Sequence, residues 1–248
     1  MPTGLEELVI FIAIFFLAAF IHGSIGVGFP MIATPLLALF TDIETAILLS
    51  LIPTILVNIV SIKTEGSILY ALQRFLPLAL FAMFGSFIGT EILIKTHTEI
   101  FKVLLALAII AYLFAENKKI GIPWIVNHSR LAMLVFGLTA GLLGGLTNVM
   151  APILIIYAFE SGRSRGELIQ AINLCFLLGK LVQLITFAAH DKIMLDELVL
   201  SLGMLIVVAL SLYMAVQFGK KIQPLIHKKI LKALLLFLAV MLCFQAAI

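Results

Sequence analysis

Apolar residues fill ten long stretches of this chain, and charged residues are confined almost wholly to the short gaps between them. The stretches run over 5–22, 29–40, 44–62, 74–94, 100–116, 131–143, 148–160, 167–189, 197–217 and 230–247. Most hold 17 to 23 residues. At a helical rise of about 1.5 Å per residue, that length crosses about 30 Å of hydrocarbon. Three stretches, 29–40, 131–143 and 148–160, hold only 12 or 13 residues and reach part of the way. Segments that short are tolerated at membrane depth where they pack in protein or line a polar cavity. The pattern predicts an all-α polytopic membrane protein, a single transmembrane domain over 1–248.

The short stretches adjoin residues that break or loosen helices. Gly23-Ser24-Ile25-Gly26-Val27-Gly28, with Pro30 and Pro35 beyond it, is echoed by Gly141-Leu142-Leu143-Gly144-Gly145, with Pro152 beyond. Matching interruptions in two halves of a membrane chain point to a transporter's binding site. Taken as hairpins that enter and leave on one side, they also sort the loops by charge. Loops 63–74, 117–130, 161–166 and 218–232 carry Lys63, Arg74, Lys118, Lys119, Arg130, Arg163, Arg165 and five lysines, and all fall inside. Asp42, Glu44, Asp191, Asp196 and Glu197 fall outside, with Glu6 and Glu7. Treating each pair as one broken crossing would mix the two sets.

Each half then makes an odd number of crossings, so the halves point opposite ways. The expectation is two inverted-topology repeats of about five helical segments, each with a Gly-rich re-entrant hairpin. Repeat one covers 5–116, a cytoplasmic linker 117–130, and repeat two 131–248, with both termini outside. A register of about 118 to 122 residues sets Asn58 and Ser61 opposite Lys180 and Gln183.

Composition agrees. The chain is 63% hydrophobic and 12% charged, with a mean hydropathy of +1.23, more apolar surface than a soluble fold of this size could hide. A net charge of +3, scattered through loops, does not point to nucleic acid. Cys175 and Cys243 lie in apolar stretches and read as small core residues, so neither a disulfide scaffold nor a metal site is expected. Leu8–Phe20 follows Glu6 and Glu7 rather than a basic region, and reads as a retained first segment, not a signal peptide. No HExxH, GxSxG, CxxC or P-loop pattern occurs. The chain is therefore expected to be no enzyme, to hold no cofactor, and to draw any active transport from an ion gradient or a partner subunit.

The candidate chemistry sits beside the glycines. A short helix is expected after each turn, over Phe29–Phe40 and Thr147–Phe159. Helix N-termini present unsatisfied N–H groups and a positive dipole end, which favour an anion. Two of them would converge near the bilayer midplane, lined by Gly26, Gly28, Gly144, Gly145, Thr147 and Asn148. The same glycines also suit close helix packing. Lys180 lies near the middle of an apolar segment, where an ionisable residue is costly; it can offset a substrate's charge or carry a proton. Asn58, Ser61, Asn173 and Gln183 are hydrogen-bonding groups at membrane depth, and can serve a substrate or join helices. His22 stands beside the first turn, as a titrating group or a packed one. Glu91 and Lys95 read as an interfacial i,i+4 pair; His128, His190 and His227 as loop residues; Trp124 as an interfacial anchor.

Ala18–Leu37, AAFIHGSIGVGFPMIATPLL, resembles the signature of the TauE/SafE family of membrane transporters, and Gly137–Leu154, GLTAGLLGGLTNVMAPIL, resembles that family's second copy. The resemblance implies transport of sulfur-containing anions: sulfite, thiosulfate, sulfoacetate and related sulfonates. It departs at Phe29-Pro30, where family members carry more glycine, against Thr147 and Asn148 in the second copy. The expected function is a secondary transporter of a small sulfur-containing anion working by alternating access in the cell membrane. An anion channel and a membrane scaffold without a ligand are the alternatives. The expected partners are the anion, the lipid bilayer and a coupling proton or cation, and a homodimer suits so many lipid-facing residues.

Overall fold

The computed structural model describes residues 4–96, 100–115, 122–218 and 232–241. Helices are the only regular elements among them: α1 (Leu5–Ile25), α2 (Phe29–Leu37), α3 (Ile43–Glu65), α4 (Ile68–Lys95), α5 (Ile100–Ala115), α6 (Pro123–Asn127), α7 (Ser129–Thr147), α8 (Ala151–Glu160), α9 (Arg165–Ala189), α10 (Leu195–Phe218) and α11 (Lys232–Met241). Six of these, α1, α3, α4, α7, α9 and α10, are long and apolar enough to cross a membrane.

The caps explain several boundaries. Asp42 accepts the Thr45 N–H at 2.9 Å and starts α3. Ser67 caps α4 by accepting the Leu69 N–H, so the helix begins at Ile68, six residues before the expected 74. Ser164 and Glu167 close a capping box at the head of α9. The first break falls where expected: Gly26 and Gly28 adopt φ of 94° and 115°, a left-handed backbone that suits glycine.

The second break is elsewhere. Segment 131–143 was expected to stop short of a crossing, with a turn at Gly144-Gly145. Instead α7 runs unbroken for 19 residues to Thr147, and Asn148, at φ 65°, makes the left-handed cap. Thr147 is accordingly the last residue of α7 rather than the first of the next helix, which begins at Ala151. Gly144 and Gly145 stay helical because their missing side chains admit neighbours. A Cβ on Gly145 would stand 2.5 Å from the Ser86 carbonyl oxygen, and one on Gly144 would overlap Met150. In the expected linker 117–130, the described part holds α6 and the start of α7. Residues 116–121, 219–231 and 242–248, which include Lys118, Lys119, His227 and Cys243, lie outside the described set.

Side-chain contacts give the chain directions. The α2 helix starts against the last turn of α1, where the Phe29 N–H donates to His22. It ends beside the start of α1, where the Phe11 and Phe40 rings lie 6.5 Å apart. So α2 runs back along α1. Likewise α8 returns along α7, bringing Tyr157 to 5.7 Å from Phe136. The α4 and α7 helices run parallel along a glycine seam, Gly85 and Gly89 facing Gly137, Gly141 and Gly145. Ser86 donates across to the Gly179 carbonyl and ties α9 to α4.

Charges collect at the two ends of the bundle. At one, Glu91 meets Lys95 at 2.7 Å, as the i,i+4 spacing predicts, and also His190 at 2.8 Å; Lys192 reaches Glu44 nearby. At the other, Glu167 lies between Arg163 and Arg74.

Candidate functional site

Around the first turn the polar groups are mutually satisfied. His22 Nδ1 accepts the Phe29 N–H at 3.1 Å, so Nε2 carries the ring proton and donates to Ser61 Oγ at 2.7 Å. Asn173 on α9 donates to the Gly26 carbonyl at 2.8 Å. His22 therefore caps α2 and occupies the first N–H that an anion would have met. Replacing His22 with leucine would leave two buried partners unpaired, at about 1–3 kcal/mol each. The expected result is a clearly lowered melting temperature, partly recovered in His22→Gln, whose amide oxygen can take the Phe29 N–H.

Around the second turn, Asn148 is fully buried, and its Nδ2 donates to Thr34 Oγ1 at 2.7 Å and to Ser50 Oγ at 3.0 Å. Its Oδ1 has no partner among the described residues. The turn of one half is thus held by α2 and α3 of the other, as Asn173 of α9 holds the Gly26 turn.

Lys180 is fully buried, and no carboxylate pairs with it among the described residues. Its ammonium donates to Gln183 Oε1, and Gln183 Nε2 donates to the Gly145 carbonyl at 3.1 Å. Asn58 is buried on α3 with Nδ2 unpaired among the described residues. The described hydrogen bonds do not join the nine expected residues into one network. Gly26 and Gly28 belong to the His22 turn; Lys180, Gln183 and Gly145 form a chain; Gly144 carries the α7 cap bond to Asn148. Thr147 Oγ1 bonds back to the Leu143 carbonyl within α7. Ser61 and Gln183, set opposite each other by the repeat register, bond to His22 and Gly145 respectively and not to each other.

At the arginine-bearing end a cavity of about 240 Å³ opens between the turn after α1, α8 and the start of α9, with Tyr112 of α5 on its wall. Ile25 ends α1 and Val27 lies in the first turn, Ile155 and Phe159 come from α8, Arg163 from the connection into α9, and Arg165 from the first residue of α9. At the opposite end, the gap beside Glu197 and Ser201 holds only about 10 Å³.

A sequence model of the sulfite exporter TauE/SafE family matches residues 11–242. The chain belongs to the sulfite exporter TauE/SafE family. It is thereby one of a family of membrane transporters, and its six membrane-length helices fit a multi-pass protein. No curated protein and no solved structure matches it.

The sequence of this TauE/SafE chain marks Asn173 as a hydrogen-bonding group at membrane depth, but gives no such part to Thr34, Ser50, Arg163 or Arg165. The charge pattern marks the two arginines only as signals of topology. Thr34 and Ser50 are isolated hydroxyls in apolar helices, and no local signal shows that they meet Asn148 from across the chain.

Proposed function

We propose that this TauE/SafE protein is a secondary transporter of a small sulfur-containing anion, such as sulfite, thiosulfate, sulfoacetate or another sulfonate. It works by alternating access in the cell membrane, between two inverted repeats, 5–116 and 131–248, with the arginine-bearing end in the cytoplasm. The observation that carries the reading is the cavity of about 240 Å³ flanked by Arg163 and Arg165 at one end of the bundle, against a gap of about 10 Å³ beside Glu197 and Ser201 at the other. An inward-facing carrier would have such an opening, and among the described residues the charged groups that line it are cationic. The repeat reading is supported by caps that recur at a spacing of 122 residues: Gly26 and Asn148, Gly28 and Met150, Asp42 and Ser164. At that spacing Asn58 matches Lys180 and Ser61 matches Gln183. The returning α2 and α8 act as the re-entrant elements, and buried Lys180 and Asn148 form the inner path.

The test is counterflow of labelled sulfite in proteoliposomes, alongside melting with sulfite, thiosulfate, sulfoacetate, sulfate, taurine, phosphate and acetate. A ligand of the folded state stabilises it by about 2.7 kcal/mol at a hundred times its Kd. The expected result is saturable counterflow with a melting point that rises with the logarithm of concentration for a sulfur anion. Unsaturable flux without counterflow would favour a channel. No flux and no shift at millimolar concentrations would favour a scaffold.

A further inference from the structure

Arg163 is held in a way that the charge pattern alone does not require. Gly162, at φ 66°, ends α8 with a left-handed cap, and the Arg163 N–H returns to the Ala158 carbonyl at 3.2 Å. The backbone at Arg163 is thus fixed to the end of α8. Its guanidinium lies over the Phe75 ring of α4, 5.7 Å from the centroid. Its Nη1 stands 3.7 Å from Glu167, itself fixed by the capping box with Ser164. Three contacts from three elements therefore set one orientation. Yet Nε is shielded from solvent and has no hydrogen-bond partner among the described residues.

A shielded charged donor without a partner is costly. Glu167 takes the Nη1 side, which leaves the Nε–Nη2 edge, and once the side chains covering Nε give way to an entering anion that edge can hold two of its oxygens side by side. Arg163 lines the 240 Å³ cavity, several times the roughly 30 Å³ share of a water molecule. Arg165 lines the same cavity but is exposed, and among the described residues its guanidinium reaches the Ile25 carbonyl alone, at a long 3.5 Å. The two arginines are therefore unequal: one is oriented, the other a loose charge at the mouth.

We infer that Arg163 is the oxyanion-capturing residue of the cytoplasmic mouth, binding two oxygens of the substrate through its Nε edge while Phe75 and Glu167 hold it in place. The inference rests on the transporter reading above. Arg165 supplies attraction at a distance and no specific bond. A lysine at 163 keeps the charge and loses the paired donors, so charge and geometry can be separated.

The experiment measures counterflow of sulfite against its concentration on the cytoplasmic side for wild type, Arg163→Lys and Arg165→Gln. Melting without ligand checks the fold of each. Arg163→Lys is expected to raise the half-saturating concentration about tenfold with little change in maximal rate, the loss of one good charge-assisted hydrogen bond. Arg165→Gln is expected to change it less than about threefold. A second readout needs no variant: in the wild-type protein, sulfite should protect Arg163 from phenylglyoxal, read by peptide mass. A folded Arg163→Lys with wild-type half-saturation, or Arg163 modified equally fast with and without sulfite, overturns the inference and leaves the transporter reading standing. Wild-type protein that neither carries nor binds any of the anions overturns both.

Discussion

Lys180→Met is expected to lose about a hundredfold or more of its sulfite transport while melting at or above the wild-type temperature. The two halves of that expectation come from the same burial. Lys180 is fully buried, and its one described partner is the neutral amide of Gln183. An ammonium in that position costs several kcal/mol of desolvation. An apolar side chain of similar length removes that cost, which offsets the penalty of about 1–3 kcal/mol for leaving Gln183 Oε1 without its donor. If Lys180 served only structure, methionine would be harmless or better. If instead it meets the substrate's negative charge at membrane depth, removing it leaves that charge buried and unpaired. The penalty is then about 3–5 kcal/mol, which at about 1.4 kcal/mol per tenfold is a loss on the order of 10² to 10³. Counterflow per folded molecule and a melting curve of the same preparation read both halves. Retained transport would remove Lys180 from the anion's path.

Gly141→Leu is expected to prevent assembly of the folded bundle altogether. A Cβ at Gly141 would overlap the Ala82 carbonyl group and its Cα, all backbone atoms that cannot swing aside. Overpacking typically costs about 1–3 kcal/mol where side chains can yield. Here α4 would have to withdraw along the whole seam, since Gly85, Gly89, Gly137 and Gly145 also meet backbone across it. Gly203→Ala is the matched control. That glycine lies inside α10 with nothing within 4 Å of an added Cβ. Helix propensity then favours alanine by about 1 kcal/mol. Size-exclusion profiles in detergent should show a sharp peak for Gly203→Ala and aggregate for Gly141→Leu. A sharp peak and wild-type melting for Gly141→Leu would mean that the seam is looser than its geometry.

Much of the fold was legible because the membrane imposes long apolar runs and leaves charge only at their ends. Gly26-Val27-Gly28 was readable as a turn, and Glu91 with Lys95 as a pair, because each depends on residues near in sequence. Gly144-Gly145 misled for a physical reason. A glycine signals either a backbone that must turn or a surface that must be approached closely, and only the neighbouring helix decides which. The turn itself fell on Asn148, one of the few other residue types that adopt a left-handed cap. Its amide then crosses to Thr34 and Ser50, more than a hundred and about a hundred positions away, a meeting that no periodicity encodes. His22 was noticed, but its role as the cap of α2 depends on how the chain doubles back.

The glycine seam between α4 and α7 also separates ancestry from cargo. Positions whose only requirement is the absence of a side chain carry no information about what passes through the protein. Much of the second-copy signature, from Gly137 to Gly145, is of that kind. Two descendants could keep every one of those residues and differ at Arg163, Asn148 or Lys180, sharing a name but not a diet. An attempt to reassign the transported molecule should therefore leave the seam untouched and vary the few polar side chains that the apolar runs leave behind.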